Sequence, residues 1–239
     1  MSQAQNRRLG HSVWVGLALA ALAAGGASMT ARQANTLTAE EKAAGWRLLF
    51  DGTTLNGWRG FKAAAPAGWS ATDGALARTG PGGDLMTADQ FGDFELQLEW
   101  KVGPAGNSGI MFRVTSDTKF PYETGPEMQV LDNAGHKDGA VPATAAGSNY
   151  ALHAPVRDVT RPVGEWNAVR LVVRSAHVEH WLNGVKLLEY ELWSPDWEAR
   201  VKASKFATMP GYGRAKRGHL VLQDHNDPVW YRNIRIRPL

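Results

Sequence analysis

The chain has 239 residues, with 26 Lys and Arg against 23 Asp and Glu, and it contains no cysteine. The lack of cysteine excludes a disulfide framework, a lipoprotein cysteine, thiolate zinc sites and thiol catalysis. The formal net charge of +3 falls to +1 without Arg7 and Arg8, and the other basic residues are scattered among acidic ones, so no nucleic-acid partner is expected.

The N-terminus has the layout of a secretory signal peptide. Arg7 and Arg8 precede an apolar run over residues 13–24, which is short of the length needed to span a bilayer, and small residues follow it. We predict cleavage after Ala27, so that residues 1–27 are a signal peptide. The mature protein is then exported to the periplasm or the extracellular space, with no stable membrane insertion. An uncleaved N-terminal anchor is the alternative.

Residues 28–44 read as a polar leader to a single domain over residues 45–239. Thr38 followed by Glu41 has the spacing of a capping box and can start a short helix. Within the domain, short apolar segments are separated by turns rich in Gly, Pro and Asp. Over residues 93–102 apolar and charged side chains alternate, which indicates a strand with one buried face.

The domain is predicted to be all-β. About a dozen short strands can be traced, and Asn183-Gly184 is a strong hairpin turn signal. The one convincing helix covers residues 194–206, with Ser194 as its N-cap and Pro195 in its first turn. There is no βαβ alternation and no repeat of fixed period, so we predict a two-sheet antiparallel sandwich with one short helix.

Two strands within residues 107–133 carry the most informative polar pattern. Arg113 alternates with apolar residues in the first strand, and Glu127 and Gln129 alternate with apolar residues in the second. Because strand side chains point to opposite faces with period two, these three polar residues are expected to share one face. We predict a sugar-binding cleft there. A plain cross-strand ion pair between Arg113 and Glu127 on a solvated face is the alternative.

Other polar residues are expected to reach the same cleft from a late strand, from the end of the second strand, from the long 132–161 loop and from the helix. They are Gln223 and His225, Asp132 and Asn133, Tyr150, and Lys205. Such amide, carboxylate and cationic groups suit a polyhydroxy ligand. For His225 the alternative is a loop histidine that bonds the backbone.

No metal or cofactor is predicted. The chain has no His-Glu-x-x-His motif, no phosphate-binding loop and no nucleophile elbow. Calcium remains an open possibility because carbonyl and carboxylate sites leave weak traces in a sequence.

Several segments resemble the 3-keto-disaccharide hydrolase family, formerly known as domain of unknown function 1080. They are residues 49–58 (LFDGTTLNGW), 107–113 (NSGIMFR), 127–133 (EMQVLDN), 164–167 (GEWN), 177–184 (HVEHWLNG), 204–206 (SKF), 218–225 (GHLVLQDH) and 229–234 (VWYRNI). The resemblance covers about residues 45–239, and the segments occur in the same order as in the family. It implies a jelly-roll sandwich of the concanavalin A-like lectin and glucanase type. It also implies an exported glycoside hydrolase whose oligosaccharide or glycoside substrate carries a ketone at C3.

The resemblance leaves the substrate's length and linkage open, because the Ala- and Gly-rich segment 134–147 departs from the family's pattern. The sugar, the anomer and the oligomeric state are open as well. A lectin-like carbohydrate-binding domain without turnover is the alternative function, since this fold hosts many sugar binders that are not enzymes.

A C3 ketone suggests a particular chemistry. The ketone acidifies the C2 hydrogen, so a base can remove that proton, the C1 substituent leaves, and water adds to the enone. We expect His225 or Glu127 as base or acid, with Arg113 and Lys205 near the developing charge. The substrate-binding residues are then expected to be Gln129, Asp132, Asn133, Tyr150 and Gln223.

An ordinary glycosidase mechanism needs two carboxyl groups. Here it would pair Glu127 with Asp132 or with Asp224. Period two places Glu127 and Asp132 on opposite faces of their strand, which counts against that pair.

Overall fold

The computed structural model describes Met1 and residues 33–239, so the predicted signal peptide, apart from Met1, lies outside the part of the chain with a described structure. Residues 33–239 belong to one unit. Within them, no helix is long and apolar enough to cross a membrane.

Two antiparallel sheets pack face to face. The eight-stranded sheet contains β1 (Arg47–Leu48), β3 (Trp69–Thr72), β4 (Ala75–Arg78), β6 (Phe94–Val102), β9 (Asn167–Arg174), β10 (His177–Leu182), β11 (Val185–Glu191) and β13 (Val229–Pro238). Its order is β11-β10-β9-β6-β13-β4-β3, with β1 paired to β13. The five-stranded sheet contains β2 (Trp58–Gly60), β5 (Leu85–Thr87), β7 (Asn107–Val114), β8 (Glu127–Leu131) and β12 (His219–Leu222), in the order β2-β5-β12-β7-β8. The predicted all-β, two-sheet jelly-roll sandwich is confirmed.

Two α-helices are described in residues 33–239, α1 (Ala39–Ala43) and α2 (Pro195–Lys202). The capping box predicted for α1 is present, since Thr38 Oγ1 accepts from Glu41 N at 3.2 Å and Thr38 N donates to the Glu41 carboxylate at 2.9 Å. α2 is the predicted short helix, capped by Ser194, but it ends earlier than expected. Ser204 Oγ accepts from Phe206 N at 3.1 Å and starts a separate 3₁₀ turn, Lys205–Thr208.

The described part of the predicted leader packs on the sandwich. Asn35 N donates to Asn233 Oδ1 at 2.6 Å, and Asn233 N donates to Asn35 Oδ1 at 2.8 Å. Asn35 Nδ2 also donates to Gly74 O at 2.8 Å. These reciprocal bonds fix residues near the start of the unit against β13.

The alternation predicted for β6 separates core from surface. Phe94, Leu96, Leu98 and Trp100 point into the core and are each no more than 3% exposed. Three of the intervening polar side chains, Glu95, Gln97 and Glu99, form a ladder on the outer face with arginines of β9 and β13. Its pairs are Glu95 with Arg170 and Arg237, Gln97 with Arg235, and Glu99 with Arg232.

Glu95 lies at the end of this ladder and is only 3% exposed. Its carboxylate accepts from Arg170 Nε at 2.6 Å and from Arg237 Nη2 at 2.7 Å. Burial raises the pKa of Glu95, but the bonds from the two arginines and Gln97 outweigh it, and the pKa falls below the usual 4.5.

We predict that Glu95→Gln destabilises the fold by about 1.5–3 kcal/mol at neutral pH, because two arginines lose their charged acceptor. Since the folded pKa of Glu95 is depressed, this stabilisation is fully present above pH 4.5 and is lost as the pH falls through the folded value. Urea denaturation at about pH 7 and about pH 3.5 measures it. Glu165→Gln, in an exposed loop, is the control. An equal effect at both pH values would contradict the prediction.

Candidate active site

A cavity of about 250 Å³ opens on the face of the five-stranded sheet that points away from the core. It lies over the ends of β7, β8 and β12. Its lining residues are Asn107, Tyr122, Glu127, Gln129, Tyr150, Lys205, Gln223 and His225. The structure therefore brings together six of the nine predicted site residues.

The Glu127 carboxyl group lies directly over Gly109 on the neighbouring strand. A Cβ atom at Gly109 would stand 1.8 Å from Glu127 Oε1, so any other residue there would displace the carboxyl group. Glu127 is 5% exposed. Gly109 thus provides the space in which a carboxyl group is buried on the sheet face.

The buried Glu127 carboxyl group favours its protonated form. Burial raises the pKa of Glu127 to about 8; the charge of Lys205 opposes the shift and that of Asp84 adds to it. With its amide nitrogen turned toward this carboxyl group, Gln129 donates to Glu127 Oε1 at 3.2 Å and to Ser108 O at 3.0 Å. Glu127 is therefore mostly a carboxylic acid at neutral pH and is able to donate a proton.

Lys205 faces aromatic rings in the cavity wall. Its Nζ lies 4.3 Å from the ring centroid of Tyr150 and 5.8 Å from that of Tyr122. Burial lowers the pKa of Lys205, against the opposing charges of Glu127 and Asp138. The ammonium group is thus a cation held by aromatic faces, placed to attract negative charge that develops in the cavity.

Tyr150 completes this wall. Its hydroxyl donates to Asp138 Oδ2 at 3.2 Å, and its backbone N donates to Glu127 O at 3.0 Å. Burial and the Asp138 charge raise the pKa of Tyr150 to about 12. Tyr150 therefore stays a neutral phenol, which suits a hydrogen bond to a sugar hydroxyl.

His225 is oriented by a carboxylate. Its Nδ1 lies 3.3 Å from Asp227 Oδ2, which also accepts from Asn107 N at 3.2 Å. The carboxylate favours the tautomer that carries the proton on Nδ1, which leaves Nε2 as an acceptor. His225 thus has a carboxylate partner, unlike the expected alternative in which it bonds the backbone, and the arrangement suits a general base.

The expectation that Arg113 shares the cleft with Glu127 is wrong. Between Met111 and Val114, β7 has one residue more than the paired segment of β12, and Arg113 has a φ of +51°. This β-bulge breaks the period-two alternation, so Val114 joins Met111 on the outer face. The Arg113 guanidinium is buried, and it donates to Ser175 O at 2.8 Å, Asp93 Oδ1 at 3.0 Å and Gly92 O at 3.2 Å.

Asp132 and Asn133 also lie outside the Glu127 cavity. They line a different cavity of about 430 Å³. Their side-chain oxygens are taken up by loop backbone, since Asp132 accepts from Ala105 N at 2.8 Å and Asn133 Oδ1 accepts from Ala146 N at 2.8 Å. The predicted opposite facing of Glu127 and Asp132 agrees with this placement.

Asp224 is not a second carboxyl group of the cavity either. It pairs with Arg78 Nε and accepts from Gly83 N at 3.0 Å. These contacts tie the loop before β5 to the loop after β12, which is a structural role.

Sequence reasoning missed Asn107, Gly109, Tyr122 and Asp227. Asn107 and Gly109 precede Met111 at a spacing of two residues, so the alternation in β7 was a usable signal for both. Tyr122 comes from a loop with a 3₁₀ turn, Pro121–Glu123, and nothing in the sequence ties it to β8.

A group of possible metal ligands lies elsewhere among the described residues. Ligand atoms of His177, Glu179 and Glu189 lie within 4.8 Å of one another on β10 and β11. His177 Nδ1 also contacts Glu191 at 2.5 Å, and this bond is the main cause of the raised pKa of His177. These contacts form an ion-pair cluster in which the histidine charge satisfies the carboxylates.

Comparison with known proteins decides the family. The model of the 3-keto-alpha-glucoside-1,2-lyase-like domain matches residues 45–237. The chain belongs to this family. A 3-keto-disaccharide hydrolase of Bacteroides thetaiotaomicron is 36% identical over 245 residues, which cover 89% of this chain and 84% of that protein.

Two solved structures, one similar in sequence and one with little sequence identity, share the fold. A crystal structure of a candidate glycosyl hydrolase from Parabacteroides distasonis is 36% identical, with a TM-score of 0.83, and covers 87% of this chain and 100% of that one. A carbohydrate binding module of Bacillus subtilis, only 11% identical, has a TM-score of 0.50 over 76% of this chain and 95% of that one. It shows the sandwich fold alone.

We predict that Glu127→Gln stabilises the fold by about 3 kcal/mol at neutral pH. The folded pKa of Glu127 is raised from 4.5 to about 8. The unfolded chain therefore ionises first, and wild-type stability decreases as the pH rises from 4.5 to about 8. The gain of the variant should vanish near pH 4.5 and reach a plateau above pH 8. Urea denaturation across this range measures the gain, and a gain independent of pH would contradict the prediction.

Proposed function

We propose that this chain is an exported glycoside hydrolase that acts on 3-keto-disaccharides or related 3-keto-glycosides. The observation that carries the proposal is the buried, protonated Glu127 carboxyl group in a polar cavity that is also lined by His225, the partner of Asp227. The hydrolase of Bacteroides thetaiotaomicron, 36% identical, supports the substrate class. The pattern of residues 1–27 supports export.

The first step is an elimination. His225 Nε2 removes the C2 proton, and the electron pair of the C2–H bond forms an enolate with the C3 ketone oxygen. The Lys205 ammonium stabilises this oxyanion. The enolate pair then forms a C1–C2 double bond, the C1–O bond breaks, and Glu127 donates its proton to the leaving oxygen.

The second step adds water to the enone. The Glu127 carboxylate takes a proton from water as the oxygen bonds to C1, and His225 returns its proton to C2. Both residues regain their starting protonation states, and the net reaction is hydrolysis. An enzyme that releases the enone before this step is a lyase, and both outcomes use the same first step.

A two-carboxylate glycosidase mechanism is less consistent with the cavity. Asp132 faces a different cavity and Asp224 pairs with Arg78. A ketone-assisted elimination needs one acid, one base and one oxyanion stabiliser, and we assign these roles to Glu127, His225 and Lys205.

We predict that the purified protein releases glucose from 3-keto-trehalose, and that Glu127→Gln lowers kcat by about 10²–10⁴-fold because it removes the proton donor. The wild-type kcat/KM should fall as the pH rises above about 8, where Glu127 loses its proton. Asp89→Asn, at an exposed ion pair with Arg47, is the control and should keep wild-type activity.

The assay also separates the two candidate functions. If the wild-type protein binds 3-keto-glycosides and releases no product from any of them, the lectin-like alternative replaces the proposal. If Glu127→Gln turns over as fast as the wild type, Glu127 is not the acid.

A further inference from the structure

The proposed reaction leaves a second cavity on the same sheet face without a role. It has a volume of about 190 Å³ and is lined by residues 60–63 and 82–84. Residues 60–63 continue β2, and residues 82–84 lead into β5, so this cavity lies over the opposite half of the five-stranded sheet from Glu127.

Strand register places the two cavities side by side. Gln223 N donates to Gly109 O at 2.9 Å, and Asp224 N donates to Asp84 Oδ1 at 2.9 Å. Since Leu85 of β5 pairs with Leu222 of β12, Asp84 stands beside Gln223. Two strand spacings separate Asp84 from Gly109, or about 10 Å. Gln223, which lines the first cavity, therefore stands between the Glu127 carboxyl group and Asp84.

The second cavity offers a carboxylate with spare acceptor capacity. Asp84 Oδ1 accepts from Asp224 N, and no other residue among residues 33–239 donates to this carboxylate. Asp84 is partly buried, and the proximity of its charge is one cause of the raised pKa of Glu127. A partly buried carboxylate that accepts from only one other residue is suited to a ligand hydroxyl.

Apart from Phe61 and Lys62, the other residues that line this cavity are small. Ala63 is exposed, and a Cβ atom at Gly83 would meet nothing within 4 Å. The Lys62 ammonium donates to Ser116 O at 2.8 Å and lies 5.4 Å from the ring centroid of Phe61. The cavity is thus open and combines the Phe61 ring with the Asp84 carboxylate, which suits a sugar, because a sugar ring has both apolar C–H faces and hydroxyl groups.

The direction of the substrate follows from the walls of the first cavity. On the side of the edge strand β8 the cavity is closed by Tyr150, whose backbone N donates to Glu127 O at 3.0 Å and whose ring centroid lies 4.3 Å from Lys205 Nζ. Tyr122 packs on the cluster that contains Phe61 and Met86 and therefore lies on the side of the second cavity. A group attached to the reacting ring that crosses the sheet away from Tyr150 extends over Gln223, toward Asp84.

We propose that the cavity lined by residues 60–63 and 82–84 is the leaving-group subsite, which binds a sugar or similar polyhydroxy group attached to C1 of the keto sugar. The Asp84 carboxylate accepts a hydrogen bond from a hydroxyl of this group. The inference rests on the proposed function and adds where the leaving group binds, so that the two rings of a disaccharide lie side by side across the sheet face.

The test compares two substrates that share the reacting ring and differ in the leaving group. One is 3-keto-trehalose, which releases glucose, and the other is methyl 3-keto-α-glucoside, which releases methanol. The readout is the ratio of kcat/KM for the first substrate to kcat/KM for the second. A change in the protonation of Glu127 affects both substrates alike, so the ratio reports on the leaving-group subsite.

We expect this ratio to fall by about tenfold or more in Asp84→Asn, because a charged acceptor is lost while the oxygen that binds Asp224 N is kept. Ala63→Trp fills the cavity and should lower the ratio at least as much. Asp89→Asn, an exposed carboxylate paired with Arg47, should keep the wild-type ratio.

The proposal is overturned if Asp84→Asn and Ala63→Trp both keep the wild-type ratio while the wild type turns over both substrates. A fall in Ala63→Trp alone supports the subsite and overturns the role of Asp84. If the wild type turns over neither substrate, the proposed function itself fails, and this inference with it.

Discussion

The site depends on one costly arrangement, the burial of the Glu127 carboxyl group without a bonded cation. Gly109 makes this possible, since a Cβ atom there would overlap the carboxyl group. Lys205 lies close enough to influence the pKa of Glu127, yet the salt bridges formed by residues 33–239 do not include this pair. A carboxyl group in such surroundings keeps its proton at neutral pH, and that proton is what a leaving group needs.

Buried acidic side chains have arginine partners on one sheet and lack them on the other. On the eight-stranded sheet the ladder of Glu95 and Glu99 with arginines satisfies each buried charge. On the five-stranded sheet, Glu127 and Asp84 have raised pKa values that reflect burial without such partners. The first arrangement stabilises the sandwich, and the second lowers its stability in exchange for reactive groups, as is common at functional sites.

The period-two alternation of side chains along strands predicted much of the fold and of the cavity. It was sufficient for β6, where Phe94 and Trp100 are buried as expected, and for Glu127, Gln129 and Gln223, which share a face. It failed at Arg113, because a β-bulge changes the alternation and the pattern of residue types carries no mark of it. The failures at Asp132 and Asn133 have another cause: both follow the end of β8, where strand periodicity no longer applies.

Which residues from distant parts of the chain come together was harder to predict than which residues share a face of one strand. Tyr122 and Asp84 come from loops whose positions depend on how the five strands are ordered, and local sequence does not fix that order. Lys205 was placed in the cavity for a partly wrong reason, since it lies on a 3₁₀ turn that Ser204 starts after α2 has ended. The aromatic wall that holds it was visible only once Tyr122 and Tyr150 were seen together.

The most direct test of this account is a carbon-13 NMR titration of the Glu127 side-chain carboxyl group in the wild-type protein, assigned by comparison with Glu127→Gln. The account predicts a midpoint near 8, with the group protonated at neutral pH. A midpoint near the ordinary 4.5 would show a solvated or ion-paired carboxylate and would contradict the role of Glu127 as the proton donor.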